Sequence, residues 1–163
     1  VINALASPEP AVTMKGLRNG MLVQTPDTAT MKELSVVTER TPSPEEMQAL
    51  RFAWTVCAYV KSNAIVFGTI GRTIGIGAGQ MSRYDAARVA AMKMADNCKE
   101  TVKPLVMASD AFFPFPDSVK VAADAGVTAV IQPGGSLKDK EVVAVCNKRN
   151  LAMVTTGMRH FRH

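Results

Sequence analysis

This chain of 163 residues is as informative for what it lacks as for what it holds. It has no apolar run near the ~20 residues that a membrane-crossing helix needs. Cysteine is scarce: Cys57, Cys98 and Cys146 are odd in number, widely spaced and without a Cys-x-x-Cys pair. They read as reduced core thiols in the cytoplasm, and no secretory leader is seen. Histidine occurs twice, and two His without a nearby Cys or carboxylate do not complete a zinc ligand set. Charge of one sign is not in large excess. Nineteen basic side chains stand against 14 acidic ones, a balance of +5 that is spread along the chain. No basic stripe with interleaved aromatics is present, which argues against a nucleic-acid surface, and small anionic ligands explain the excess equally well. No internal repeat is evident. What remains is 47% hydrophobic and 20% charged, the composition of a globular protein with a good core, as one domain or a tightly fused pair of half-domains. Val1 in place of Met suits a piece of a longer polypeptide.

Three helices are expected after the same device, a Ser followed three residues later by an acid: Ser43/Glu46, Ser82/Asp85 and Ser136/Asp139. The hydroxyl can accept from a free backbone N–H while the acid reaches back to the cap. Apolar residues at helical spacing follow over 47–61, 86–99 and 140–148, and a shorter helix fits 118–125, stopped by Gly126. β-like runs fall at 21–24, 34–38, 64–67, 73–77, 105–107, 127–132 and 151–155. The third and fourth read as a hairpin around Gly68 and Gly71. The last three alternate with helices, as parallel strands do. The fold class is therefore α/β, a mixed sheet with helices on its faces. Residues 1–20 carry Pro8 and Pro10 without a pattern and read as a connector, with 21–163 as the folded part.

Several segments fall at strand ends, where open α/β sheets bind ligands. Ala108-Ser-Asp-Ala-Phe-Phe-Pro-Phe-Pro-Asp117 crowds three Phe and two Pro between Asp110 and Asp117. It is either a loop tucked under the core or an aromatic wall with a carboxylate, suited to a flat, amide-rich ring. Asn63, in Val60-Lys-Ser-Asn63, either ends a helix or presents donor and acceptor together to an amine and a carbonyl. Gly75-Ile-Gly-Ala-Gly-Gln-Met-Ser-Arg83 has glycines that let backbone N–H groups approach an anion, yet it lacks the Gly-Lys-Ser/Thr ending of a P-loop. Arg83 falls in the first helical turn, where a cation is unfavourable unless it serves a ligand or partner. Gln132-Pro-Gly-Gly-Ser136 reads as a tight strand-to-helix turn. In the tail, Thr155 to His163, Arg159 can grip a phosphate through two parallel hydrogen bonds.

Together Ser62-Asn63, residues 74–83, 108–115, 132–136 and 158–163 resemble the carboxyl-terminal half of the transformylase domain in the AICAR transformylase/IMP cyclohydrolase family, over about residues 16–163. The resemblance implies a cytidine-deaminase-like three-layer α/β/α fold used without zinc. The chain has neither the His-x-Glu nor the Pro-Cys-x-x-Cys with which deaminases activate water. The implied reaction moves a formyl group from 10-formyltetrahydrofolate to the exocyclic amine of AICAR, in purine (IMP) biosynthesis. By position, Asn63 faces the reacting amine and formyl group. Arg83, Phe112 and Arg159 bind the nucleotide, Arg159 at its phosphate. Pro114 and Asp117 lie against the folate. Ser62, Asp110 and His163 are further candidates, and a monovalent cation near Ser62 and Asp110 is a ligand the resemblance raises. Two departures stand out. The family's catalytic Lys-His pair belongs to the amino-terminal half of that domain, and no Lys-His dipeptide occurs in this chain. Pro116 also stands where related sequences often carry Arg. A homodimer or the complementary half of the transformylase is thus the expected partner, with the cyclohydrolase activity in a domain absent from these residues. The alternative is a non-catalytic nucleotide- or folate-binding or dimerisation module.

Overall fold

A computed structural model describes residues 12–25, 27, 31 and 34–162. The chain divides into two compact units, Val1–Thr30 and Met31–His163. In the first, β1 (Thr13–Leu17) pairs antiparallel with β2 (Gly20–Gln24), Leu17 opposite Gly20. The expected connector is thus corrected over 13–20, which forms one arm and the turn of a hairpin. The Asn19-Gly20 dipeptide is the local signal for that turn. Residues 1–11 of the connector lie outside the described residues.

The second unit is a three-layer α/β sandwich, as the alternation of patterns predicts. Its sheet has the order β3-β8-β7-β6-β4-β5. Here β3 is Ser35–Val36, β4 Ile65–Thr69, β5 Arg72–Gly77, β6 Val106–Ser109, β7 Ala129–Gln132 and β8 Ala152–Thr155. Strands β6, β7 and β8 run parallel, while β4 runs antiparallel to both β6 and β5, and β3 antiparallel to β8. The central strands are buried on both faces, so side chains alternate between two cores. Val66, Val106, Ala108, Ala129, Ile131, Ala152 and Val154 face α1 (Pro44–Cys57), which contributes Leu50, Ala53 and Trp54. Ile65, Phe67, Met107, Val130 and Met153 face the other three helices. These are α2 (Arg83–Asn97), α3 (Asp117–Asp124) and α4 (Asp139–Lys148).

Local chemistry sets the helix ends. At α1 the reciprocal box is complete: Ser43 Oγ accepts from the Glu46 N–H at 3.1 Å, and Glu46 Oε2 accepts from the Ser43 N–H at 2.9 Å. At α2, Ser82 Oγ accepts from the Asp85 N–H at 3.0 Å, but the Asp85 carboxylate accepts from the Ser82 hydroxyl instead of reaching the backbone. The third expected cap is corrected. Helix α4 opens at Asp139 with no side-chain cap at Lys138. Ser136 Oγ accepts from the Lys138 N–H, two residues on, a turn that competes with helical geometry.

Helix α2 lies unusually near the sheet. A Cβ built on Gly77 would fall 1.9 Å from the Ala86 carbonyl oxygen, and one on Gly75 2.1 Å from that of Ala90. Only glycine in β5, facing alanines in α2, admits that approach. The glycines at 75 and 77 therefore serve packing, not the approach of an anion.

Candidate functional site

Strand polarity alone gathers the candidate segments. Ile65 at the start of β4 pairs with Ser109 at the end of β6 and with Gly77 at the end of β5. The ends of β6, β7 and β8 point the same way. One rim of the sheet therefore carries Ser62-Asn63 before β4, residues 78–83 after β5, 110–116 after β6, 133–138 after β7 and 156–162 after β8. Asn63, Arg83, Phe112, Pro114, Asp117 and Arg159 all lie on or beside it. His163 lies outside the described residues.

Main-chain bonds tie these segments together. Lys61 and Asn63 accept from the Gly79 and Gln80 N–H groups at 2.7 and 3.4 Å, so the glycine-rich turn spends these donors on the neighbouring segment. Asn63 Nδ2 donates to the Gln80 carbonyl at 2.9 Å, and the peptide between Ser62 and Asn63 is cis. The tail crosses the rim as well. Ser62 N–H donates to the Arg162 carbonyl at 2.9 Å, Arg162 N–H donates back to Ser62 Oγ at 3.2 Å, and His160 N–H donates to the Asp110 carbonyl at 2.9 Å. The buried His160 ring tilts against Trp54 of α1, with centroids 5.0 Å apart. His160 thus docks this segment against α1. The flanking cations stay outside, Arg159 over the Phe161 ring at 5.5 Å and Arg162 over Tyr59 at 5.3 Å.

Arg83 is the first residue of α2. Its guanidinium meets Asp110 Oδ1 at 3.4 Å, with Asp110 only 1% exposed. Arg83 Nε and Asp110 Oδ2 are both buried with no hydrogen-bond partner. The loop after β6 divides its aromatics. Phe113 is fully buried, tucked into the core, whereas Phe112 is half-buried and Pro114 and Phe115 are exposed. Asp117 opens its helix without a side-chain cap, and its Oδ1 accepts from the adjacent Ser118 N–H at 2.7 Å. The loop after β7 closes on itself. Asp139 Oδ2 accepts from the Gly135 and Ser136 N–H groups at 2.7 and 3.1 Å, and Gln132 Oε1 accepts from the Gly134 N–H at 3.1 Å. That is the tight turn the sequence suggests. Beside it an open depression of about 620 Å³, lined by Pro133, Gly134, Asp139, Thr155 and Thr156, sits at the ends of β7 and β8. Another, of about 510 Å³ beside Arg72, Cys98 and Glu100, lies at the opposite end of the sheet.

The thiols are not reactive groups of this rim. Burial, with the Asp110 charge adding to it, raises the Cys57 thiol well above its usual value. Burial pushes the Cys146 thiol up to about 12. Cys98 is partly buried at the far end of α2 and packs against the core. No helix of the described residues is long and apolar enough to cross a membrane.

These features define a class: a three-layer α/β domain whose polar loops, docked tail and under-satisfied ion pair crowd one end of a mixed sheet. A sequence profile described as the AICARFT/IMPCHase bienzyme matches residues 1–93, and the chain belongs to that family. The bifunctional purine biosynthesis protein PurH of Dinoroseobacter shibae is 54% identical over 162 residues, taking in 94% of this chain and 31% of that protein. The chain thus spans about a third of the length of that curated relative. Among solved structures, the dCMP deaminase of the cyanophage S-TIM5 in apo form superposes with a TM-score of 0.44 at 18% identity. That superposition covers 69% of this chain and 98% of the other.

Proposed function

We propose that this chain is the substrate-holding half of an AICAR transformylase, acting in the cytoplasm in purine biosynthesis as a homodimer or beside a complementary half. The observation that carries the reading is the convergence of five loop segments on one rim, in a member of the bienzyme family. The reaction joins the exocyclic amine of AICAR to the formyl carbon of 10-formyltetrahydrofolate. The amine nitrogen attacks, the carbonyl oxygen carries the developing negative charge, the amine loses a proton and the folate N10 leaves with one. The amine is a weak nucleophile because its lone pair is delocalised, so position and proton removal dominate the barrier.

Each residue then has a part. Asn63 has its Nδ2 tied to Gln80, which leaves the carbonyl end of the amide to orient the amine. Arg159, exposed on the docked tail, grips the phosphate, and Arg83 contacts the nucleotide from the start of α2. Phe112 packs beside the imidazole carboxamide. Pro114 and Asp117 meet the folate, and the bond from the Ser118 N–H orients the Asp117 carboxylate that would accept from the pterin. The proton-transferring Lys-His pair comes from the upstream half. Near Ser62 and Asp110, where a monovalent cation is expected, Asp110 Oδ2 is a buried oxygen without a partner, and Ser62 Oγ accepts from the Arg162 N–H.

The test mixes this chain with a polypeptide carrying the upstream half of the transformylase and follows tetrahydrofolate release and ring closure in parallel. Formyl transfer that needs both pieces is expected. Ring closure without formyl transfer would overturn the assignment in favour of the other activity in the family's description. Calorimetric binding of AICAR or folate with no turnover beside the upstream half would make the chain a binding module.

A further inference from the structure

The geometry points to Asp110 as a positioning residue that sets both nucleotide-gripping arginines, one through its side chain and one through its main chain. The inference rests on reading Arg83 and Arg159 as nucleotide ligands, and it explains what holds them. Arg83 sits at the first position of α2, where the helix's partial positive charge opposes a cation. Asp110 is the carboxylate that offsets this: its Oδ1 lies 3.4 Å from the guanidinium, and Arg83 is 14% exposed. The same residue accepts the His160 N–H on its carbonyl at 2.9 Å, directly beside Arg159 in sequence. The His160–Trp54 ring contact and the Ser62–Arg162 bonds then keep that stretch of tail from sliding. Asp110 is itself anchored, its N–H donating to the Ala64 carbonyl at 3.3 Å at the start of β4. It therefore ties together the loop after β6, the start of α2 and the tail.

The pair's loose geometry suits this task. A buried ion pair kept only for the fold normally satisfies every polar atom. Here Arg83 Nε and Asp110 Oδ2 have no partner. One contact aims the guanidinium and leaves its remaining donors unspent for a ligand.

The test uses the full-length family polypeptide that contains these residues, with AICAR as the probe in calorimetry. Asp110→Asn keeps the shape and the carbonyl that holds the tail, and removes the charge that holds Arg83. We expect it to weaken AICAR binding about tenfold, and Arg83→Ala to weaken it at least as much. The double variant should be within about twofold of Arg83→Ala alone, because the two share one route. In the Asp110→Asn background, Arg159→Ala should still have its full effect, because the tail hangs from the main chain. Losses from Asp110→Asn and Arg83→Ala that multiply would overturn the proposal, since a merely structural Asp110 acts independently of Arg83. Should Asp110→Asn not fold, the unmutated protein decides by NMR. The Arg83 Nε–Hε signal should report an ordered side chain without nucleotide, unlike exposed Arg88; equal mobility would overturn the proposal. Unchanged AICAR affinity in Arg83→Ala would instead overturn the nucleotide reading of Arg83, while the NMR result still decides whether Asp110 holds it.

Discussion

Two arginine–carboxylate pairs in this domain invite comparison. Arg40 and Glu46 meet through two parallel bonds at 2.8 and 2.9 Å. Arg40 also donates to the Asn150 carbonyl at 2.9 Å and to the Thr128 carbonyl, while Glu46 accepts the Ser43 N–H. The pair clasps the start of α1 to the segments that lead into β7 and β8. Arg83 and Asp110 are more deeply buried, with side chains 14% and 1% exposed against 28% and 8%, yet they share one long contact and leave two atoms orphaned. If burial alone measured structural commitment, the second pair would be the stronger. The inventory of satisfied atoms reverses that order. The first pair spends its capacity on the fold, and the second keeps some in reserve at the rim where ligands are expected.

Breaking the clasp should have the largest effect on stability. Glu46→Ala leaves Arg40 partly buried and unpaired, and we expect a loss of about 3 kcal/mol in urea unfolding, with AICAR affinity unchanged. Truncating Arg159 should reverse that pattern. Arg159→Ala should weaken AICAR binding at least tenfold by calorimetry, about 1.5 kcal/mol or more, and leave the unfolding midpoint within error. Ser43→Ala removes half of the α1 capping box and should lower stability by about 1 kcal/mol, again without touching affinity.

The smallest and most specific effect is on pH dependence. Burial pushes the Glu46 carboxyl upward, but hydrogen bonds from Arg40, Thr128 and Ser43 and the Arg40 charge outweigh it, so its pKa is lowered from 4.5. Below 4.5 the unfolded chain takes up the proton first. The stabilisation is therefore full above that pH and lost as pH falls through 4.5 toward the folded value. Acid titration of stability should show that slope, and Glu46→Gln should flatten it. An unaltered slope in Glu46→Gln would erase the contrast between the two pairs.

Much of the architecture was legible because its determinants are local. Short apolar runs bounded by turn residues mark the strands, and Ser43-Pro44-Glu45-Glu46 announces α1 within four residues. The hairpin arm 13–17 was not, since Met14, Leu17, Met21 and Val23 are all more than half exposed and give no one-sided burial pattern. At Ser136 the motif was present but a competing turn captured the hydroxyl. Within Phe112-Phe113, spacing cannot tell which ring turns inward at a strand end. The site was legible as a set of strand-end segments. The Arg83–Asp110 pair was not, because its partners are 27 positions apart and meet only after β4, β5 and β6 have assembled. Likewise nothing in the tail's composition says that His160 rather than Arg159 turns inward toward α1.

The near-contact of α2 with β5 has a mechanical consequence. With alanine carbonyls seated where glycine side chains would be, the helix is keyed into the sheet and cannot translate along it without collision. Arg83 is mounted on the end of that keyed shaft. On the proposed role of Arg83, a guest at the rim is met by rotation about the bonds of the arginine arm, while the bearing beneath it stays still.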